Sequence, residues 1–394
     1  MSVFADLVGQ ERAVARLQEA ADDARAVLSG GGDARGAMTH AWLFTGPPGS
    51  GRSIAARAFA AALQCTSPGP AGCGHCDGCH QSLIGTHPDV ALVVPEGLHL
   101  TIDAAREIIR RSSRAPVQGR WQVTVIEDAD RMEERTSNTV LKAIEEPPPH
   151  SVLLLCAPST EDMLPTIRSR CRLVGLVTPS PSAVAQVLVE RDGVAPDLAA
   201  FAARAAQGHV GRARRLATDE ASRTERRHVL ALPRSLGTVG TALAAAKDLV
   251  DAAKDEAETL TGSRDAAERA ELETALGVGA TGKGVTAATR GSGAIKALEQ
   301  QQKRRATRTS RNALDRALVD LAAFYRDVLV LQLATGTDPI HGDLGEQASV
   351  IARATTPEDS VRRLDAILAC REAVEANVAP LLAVEALALT LRDP

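Results

Sequence analysis

"HAWLFTGPPGSGRSIAARAFAAAL", residues 40–63, decides the fold. An apolar run ends at Thr45, a glycine-rich turn follows, and an alanine-rich stretch of helical character begins at Arg52. Strand, turn and helix in that order let backbone N–H groups point at a phosphate without Cβ clashes, and the helix N-terminus adds partial positive charge. The pattern runs from Gly46 through Gly49 and Gly51 to Arg52 and Ser53, the form G-x-x-x-x-G-R-S. A phosphate-binding loop ordinarily carries Lys where Arg52 stands. Lys is a compact point charge, Arg a broad planar fork, so the change argues for phosphate binding without efficient transition-state stabilisation. Ser53 sits where a hydroxyl reaches Mg²⁺. A bare glycine turn is the plain alternative, and the complete pattern in this setting argues against it.

Working outward, "DVALVV" (89–94), "WQVTVIED" (121–128) and "SVLLLCA" (151–157) are further short apolar runs. Helical stretches are expected at 52–64, 102–113 and 132–145. This alternation predicts a parallel sheet with helices on both faces, an α/β domain over residues 1–177. Beyond "TPSPSA" (178–183) only helical periodicity remains. A small helical lid is expected over 178–221 and a larger all-α domain over 222–394. A segment at about 254–311, rich in Gly, Thr and charge, interrupts the latter and reads as a flexible or partly helical insertion. Within it "GVGATGKG" (277–284) mimics a phosphate loop but lacks the following Ser/Thr and the preceding strand. The basic end of the insertion suits a solvated linker better than a nucleic-acid contact.

Composition narrows the function. The 394 residues carry a net charge of −4, one Tyr, two Trp and five Phe. A polybasic nucleic-acid binder and a base-stacking platform are both disfavoured. The first residues lack an apolar signal core, and no run approaches membrane-spanning length, so a cytoplasmic protein is expected.

Three groups of residues carry candidate chemistry. "VTVIEDAD" puts Glu127 and Asp128 at a strand end, where nucleotide hydrolases hold Mg²⁺ and polarise water, although the usual order is Asp then Glu. Surface acids are the alternative. "CTSPGPAGCGHCDGC" supplies Cys65, Cys73, Cys76 and Cys79 at spacings that suit a closed, structural Zn²⁺ site over residues 65–79. A redox pair and an iron–sulfur cluster fit the compartment and the spacing less well, and His75 and His80 read as bystanders. Finally, "LPTIRSRCRL" clusters Arg168, Arg170 and Arg172, either a solvated helix end or an arginine offered to another molecule.

Taken together, "FADLVGQERAVARL" (4–17), "HAWLFTGPPGSGRS" (40–53), the four-cysteine module, "NTVLKAIEEPPPHSVLLL" (138–155), "LPTIRSRCRL" (164–173) and "GHVGRARRLA" (208–217) resemble the delta-prime subunits of bacterial DNA polymerase III clamp loaders, within the AAA+ family. "NALDRALVDLAAFYRDVLVLQLATG" (312–336) and "ANVAPLLAVEALALTL" (376–391) are similar to that family's collar helices. The insertion has no counterpart. The resemblance implies a stator in a hetero-pentameric ring with gamma/tau motor and delta subunits, which loads a sliding clamp onto primed DNA using ATP. It implies that Arg170 completes a neighbour's ATP site, that Val8, Gly9 and Gln10 lie at the adenine side, and that Arg212 corresponds to the lid sensor arginine. An own ATPase would be weak or absent, with ATP/Mg²⁺ binding possible. The competing reading is a gamma/tau-type motor hydrolysing its own ATP, against which Arg52 and the Glu127–Asp128 order count. Nothing in the chain supports polymerisation chemistry.

Overall fold

The computed structural model describes residues 2–30, 36–95, 99–276 and 285–392. They divide into two units, the first ending at Thr218 and the second beginning at Asp219.

The first unit opens with helix α1 (Glu11–Leu28), followed by strand β1 (Ala41–Thr45), α2 (Arg52–Leu63), α3 (Asp77–Ile84) and β2 (Val90–Val93). It continues through α4 (Ile102–Ser112), β3 (Gln122–Ile126), α5 (Glu134–Glu145), β4 (Ser151–Ala157), α6 (Pro165–Arg168) and β5 (Arg172–Gly175). The strands form one parallel sheet in the order β2-β3-β4-β1-β5. Every residue of β1, β3 and β4 is buried, as expected of strands covered on both faces. Alternation then sorts the side chains. Trp42, Phe44, Leu154 and Cys156 face a layer containing Leu17 and Phe59. Leu43, Leu153 and Leu155 face Ile108, Ile144 and Ile167. Trp42 and Phe59 meet edge to face, 5.0 Å between centroids. α2 is buried along most of its length, and its run of alanines lets it lie close to the sheet.

The fifth strand has no signal of its own in the sequence. Its apolar core is too short, and pairing with β1 makes it a strand. The unit ends in the three helices expected as a lid, α7 (Pro181–Asp192), α8 (Pro196–Ala205) and α9 (Val210–Thr218), packed mainly through alanines.

The second unit is entirely helical among its described residues. Asp219 starts it, accepting from the backbone of Ala221 and Ser222 as the N-cap of α10 (Glu220–Ala231). α11 (Val239–Ala275), α12 (Val285–Leu333), α13 (Gly345–Ala354), α14 (Pro357–Glu375) and α15 (Pro380–Arg392) follow. α11, α12, α14 and α15 share a core around Leu318, Leu321, Phe324 and Ile367. The buried Arg226 reaches Asp320 at 3.6 Å, linking α10 to α12.

The segment expected as a flexible insertion is helical over 254–275 and 285–311; the decoy at 277–284 lies outside the described residues. The 37 residues of α11 and the 49 of α12 correspond to lengths of about 55 and 73 Å at 1.5 Å per residue. Where apolar residues are scarce, ion pairs join the two helices. Arg305 reaches Asp265 at 2.6 Å and Glu268 at 2.9 Å, and Arg316 reaches Glu256 at 2.6 Å. A polar helix pair laced by charges has the composition of a linker, which is why its sequence reads as one. Apolar side chains are exposed in this unit as well, among them Val350 and Leu382, each 61% exposed.

Candidate functional site

The phosphate-type loop leaves the sheet at the C-terminal end of β1. The Gly46 N–H donates to Pro158 and the Ser50 N–H to Pro47, closing a tight turn. Two glycines are required by space. A Cβ on Gly46 would stand 2.5 Å from the Leu176 carbonyl oxygen, and one on Gly49 (φ +86°) would stand 2.8 Å from the Cβ of His209 in the lid. The hydroxyl of Ser50 is buried without a hydrogen-bond partner. The loop thus has the shape of an anion cradle.

A pocket of about 310 Å³ opens over this loop. Val8, Gly49, Gly51, Arg52 and Ser53 line it, and residues outside the expected site set, Asp6, Pro179 and His209 among them, complete the wall. His209 lies inside the quoted "GHVGRARRLA" stretch, so that motif held the signal. Gly46 lies under Ser50 rather than on the wall. Arg212 sits one residue past the lining residue Gly211, and its backbone N–H donates to His209 Nδ1 at 3.3 Å.

Two expected contacts are occupied by the protein itself. The Gln10 side chain is buried; its Nε2 donates to the carbonyls of Ser50 (3.3 Å) and Val177 (2.5 Å), and its Oε1 accepts from the Val177 N–H (3.2 Å). It ties the loop to the strap leading into the lid, leaving only its backbone for a base. Gly9 lies against Pro179 and not on the pocket wall. The guanidinium of Arg52 donates to the carbonyl of Gly46, back onto its own loop.

The acids lie where β3 ends. Glu127 continues the pairing through its N–H to Val93, while its carboxylate meets Arg57 at 2.9 Å. Asp128 adopts a left-handed φ of 47°, with Arg131 3.8 Å from its carboxylate. Burial pushes the Cys156 thiol up; Glu127 and Asp128 reinforce the shift, and Arg52 and Arg57 oppose it.

The four cysteines converge as their spacing predicts. All four sulfurs lie within 4.8 Å of one another, and those of Cys76 and Cys65 are 3.9 Å apart. Tetrahedral Zn–S bonds of about 2.3 Å place sulfurs about 3.8 Å apart, so the cluster fits a metal ion. The Cys76 N–H also points at the Cys73 sulfur at 3.4 Å. Burial opposes a Cys76 thiolate, but hydrogen bonds from the backbones of Thr66 and Cys79 and from the Thr66 hydroxyl outweigh it and bring the thiol to about 5. Burial pushes the Cys79 thiol up, and the neighbouring sulfurs of Cys76 and Cys65 act in the same direction.

The three arginines of "LPTIRSRCRL" have different partners. Arg172 is structural, donating to the carbonyls of Ala37 and Gly36 with its guanidinium 5.6 Å from the Trp42 ring centre. Arg168 is exposed at the end of α6. Arg170 is 42% exposed; it pairs with Glu145 at 3.0 Å and donates to the Thr166 carbonyl at 3.0 Å.

Among the described residues no helix is long and apolar enough to cross a membrane. Comparison with known proteins agrees with the motifs. A family described as "DNA polymerase III, delta subunit" matches residues 32–180. DNA polymerase III subunit delta' of Pseudomonas aeruginosa is 37% identical over 156 residues, 39% of this chain and 47% of that protein. The Escherichia coli K12 subunit of the same name is 37% identical over 143 residues, 36% of this chain and 43% of its own. DNA polymerase III subunit gamma/tau of Mycobacterium tuberculosis H37Rv is 34% identical over 205 residues, 50% of this chain and 33% of that protein. The chain thus spans a third to about half the length of these relatives. A Thermotoga maritima structure described as a DNA polymerase III gamma subunit-related protein covers 95% of this chain and 99% of its own, at 16% identity and a TM-score of 0.43, a likeness too loose to build on. The resemblance to DNA polymerase III clamp-loader subunits is therefore borne out in the N-terminal half, where the chain is similar to both the delta-prime and the gamma/tau kinds.

Proposed function

We propose that this chain is a delta-prime-type, non-motor clamp-loader subunit that supplies Arg170 to the ATP site of a neighbouring motor subunit. The observation that carries the reading is the end of the sheet at which Arg170 stands. β5 runs parallel to β1, with Arg172 opposite Trp42 near the start of β1 and Gly175 opposite Thr45 at its end. Arg170 precedes β5, so it lies toward the N-terminal edge of the sheet, whereas the phosphate loop leaves the C-terminal edge. A half-exposed guanidinium so placed serves a phosphate on another molecule better than one in its own loop.

A nucleotide in this chain would be held by Val8, Gly49, Gly51, Arg52 and Ser53. Mg²⁺ would draw on Ser53, Glu127 and Asp128, and Glu127 would have to release Arg57 to join it. ATP supplies binding energy there. The fork of Arg52, turned onto Gly46, is poorly placed to follow charge developing on a transferred phosphoryl group. Zinc at Cys65, Cys73, Cys76 and Cys79 would fix the loop between α2 and α3 with no open coordination position. Motor gamma/tau and delta subunits, the clamp and primed DNA are the partners this role requires. The exposed apolar residues of the second unit suit an interface with other subunits. The well-formed pocket over the loop favours a second reading, a motor that turns over its own ATP.

The test is the ATPase rate of the reconstituted assembly with clamp and primed DNA. Arg170→Ala is expected to lower it about tenfold or more, and Ser53→Ala to leave it within about twofold. The reverse pattern, with turnover by the chain alone, establishes the motor.

A further inference from the structure

Arg170 does not hang free. Its Nη2 meets Glu145 Oε1 at 3.0 Å, and its Nη1 donates to the Thr166 carbonyl at 3.0 Å and to the Ser169 hydroxyl at 3.3 Å. Glu145 is the last residue of α5, followed by Glu146 and the Pro147–Pro149 block that ends the helix. Its side chain therefore projects from the C-terminal end of α5, while Arg170 sits on the short turn between α6 and β5. The two are 43% and 42% exposed, so a phosphate can reach the guanidinium without unfolding anything.

We propose that Glu145 is a positioning residue for Arg170, its carboxylate holding the guanidinium in the direction from which it meets a phosphate of a neighbouring subunit's nucleotide. The inference rests on the trans-acting role given to Arg170 above.

Magnitudes decide between this role and a restraint that keeps the arginine away from its target. A half-exposed ion pair changes an equilibrium by about one- to fivefold. An arginine finger is worth about 10³–10⁵ in rate. So weak a pair cannot withhold the arginine from a phosphate dianion. It can bias a flexible side chain toward one rotamer before the phosphate arrives, and the two bonds from Nη1 act in the same direction. Glu145 touches no substrate in this scheme and acts only through Arg170.

A double-mutant cycle in the reconstituted assembly tests this. Wild type, Glu145→Ala, Arg170→Ala and the double variant are assembled with the motor subunits, and ATP hydrolysis is followed with clamp and primed DNA at low and high salt. Glu145→Ala is expected to lower kcat about two- to fivefold with KM for ATP unchanged. Glu145→Gln, which keeps an acceptor for the guanidinium, should fall between. The effect of Glu145→Ala should shrink with salt as the pair is screened, and should vanish in the Arg170→Ala background. If Arg170→Ala itself leaves the rate intact, the parent reading fails and this one with it. If Arg170→Ala collapses the rate while Glu145→Ala does nothing, speeds the reaction, or costs the same in both backgrounds, the parent reading stands and the positioning role is refuted.

Discussion

Replacing Gln10 tests how the lid is joined to the phosphate loop. The buried amide satisfies three backbone groups, the carbonyls of Ser50 and Val177 and the N–H of Val177, across 40 and 167 residues of sequence. Gln10→Ala removes all three bonds at a side chain that is 4% exposed. At about 1 kcal/mol net for each lost hydrogen bond, the first unit should lose about 3 kcal/mol. For a unit of this size that lowers Tm by about 6–12 °C. Gln10→Glu is the sharper probe, since it keeps the shape and replaces a donor by an acceptor facing two carbonyls. Burial and those carbonyls should raise the pKa of the introduced carboxyl in the folded state above its unfolded value. By linkage, stability is then present below the unfolded pKa and lost as pH rises through the folded one, so Gln10→Glu should approach wild type near pH 4 and fall away toward pH 7. The assay is simple because both tryptophans, Trp42 and Trp121, lie in the first unit. Their fluorescence during urea unfolding reports that unit, and hydrogen exchange at 177–180 reports the strap. A Gln10→Glu variant as stable as wild type at pH 7, with no slope between pH 5 and 7, refutes the clamp.

Three further outcomes follow from the geometry. The chain should bind about one zinc; Cys76→Ser should abolish it and speed hydrogen exchange over residues 65–79 by about a hundredfold or more, whereas unchanged metal content removes the four-thiolate site. Gly49→Ala should destabilise the first unit by about 2–3 kcal/mol, more than Gly51→Ala, because both have positive φ but only the former drives a Cβ to 2.8 Å from His209; equal losses would mean that the lid does not rest on the loop. Asp327, buried, is held down to about 2 against its burial by the His341 ring, the backbone of Ile340 and His341, and Arg326. Its folded pKa is depressed, so its stabilisation is present above about pH 4 and lost as pH falls toward 2; Asp327→Asn should cost about 2 kcal/mol at pH 7 and flatten the acid limb reported by the single tyrosine, Tyr325.

How much was legible in the sequence depended on the range of the interaction. Continuous apolar runs marked β1, β3 and β4, because a strand buried on both faces must be apolar throughout. Glycine spacing marked the loop, and paired two-residue gaps marked the thiolates, because each motif closes within a few residues of itself. β5 escaped notice, since its strand character comes from β1, some 130 residues earlier. The α11–α12 pair was hidden for a related reason: its ion pairs join residues 30 to 60 positions apart, and composition alone could not align them.

The sequence by itself determined a phosphate-loop domain, a four-thiolate module, a helical C-terminal half and a cluster of arginines. Tertiary structure decided which of those residues face one another. It turned Gln10 into a clamp, set His209 over Gly49, gave Glu127 to Arg57, and stood Arg170 beside Glu145 toward the edge of the sheet opposite the loop. Local patterns report the bonds a segment makes with itself. The work of a site depends on strand order and register, which only the folded chain supplies.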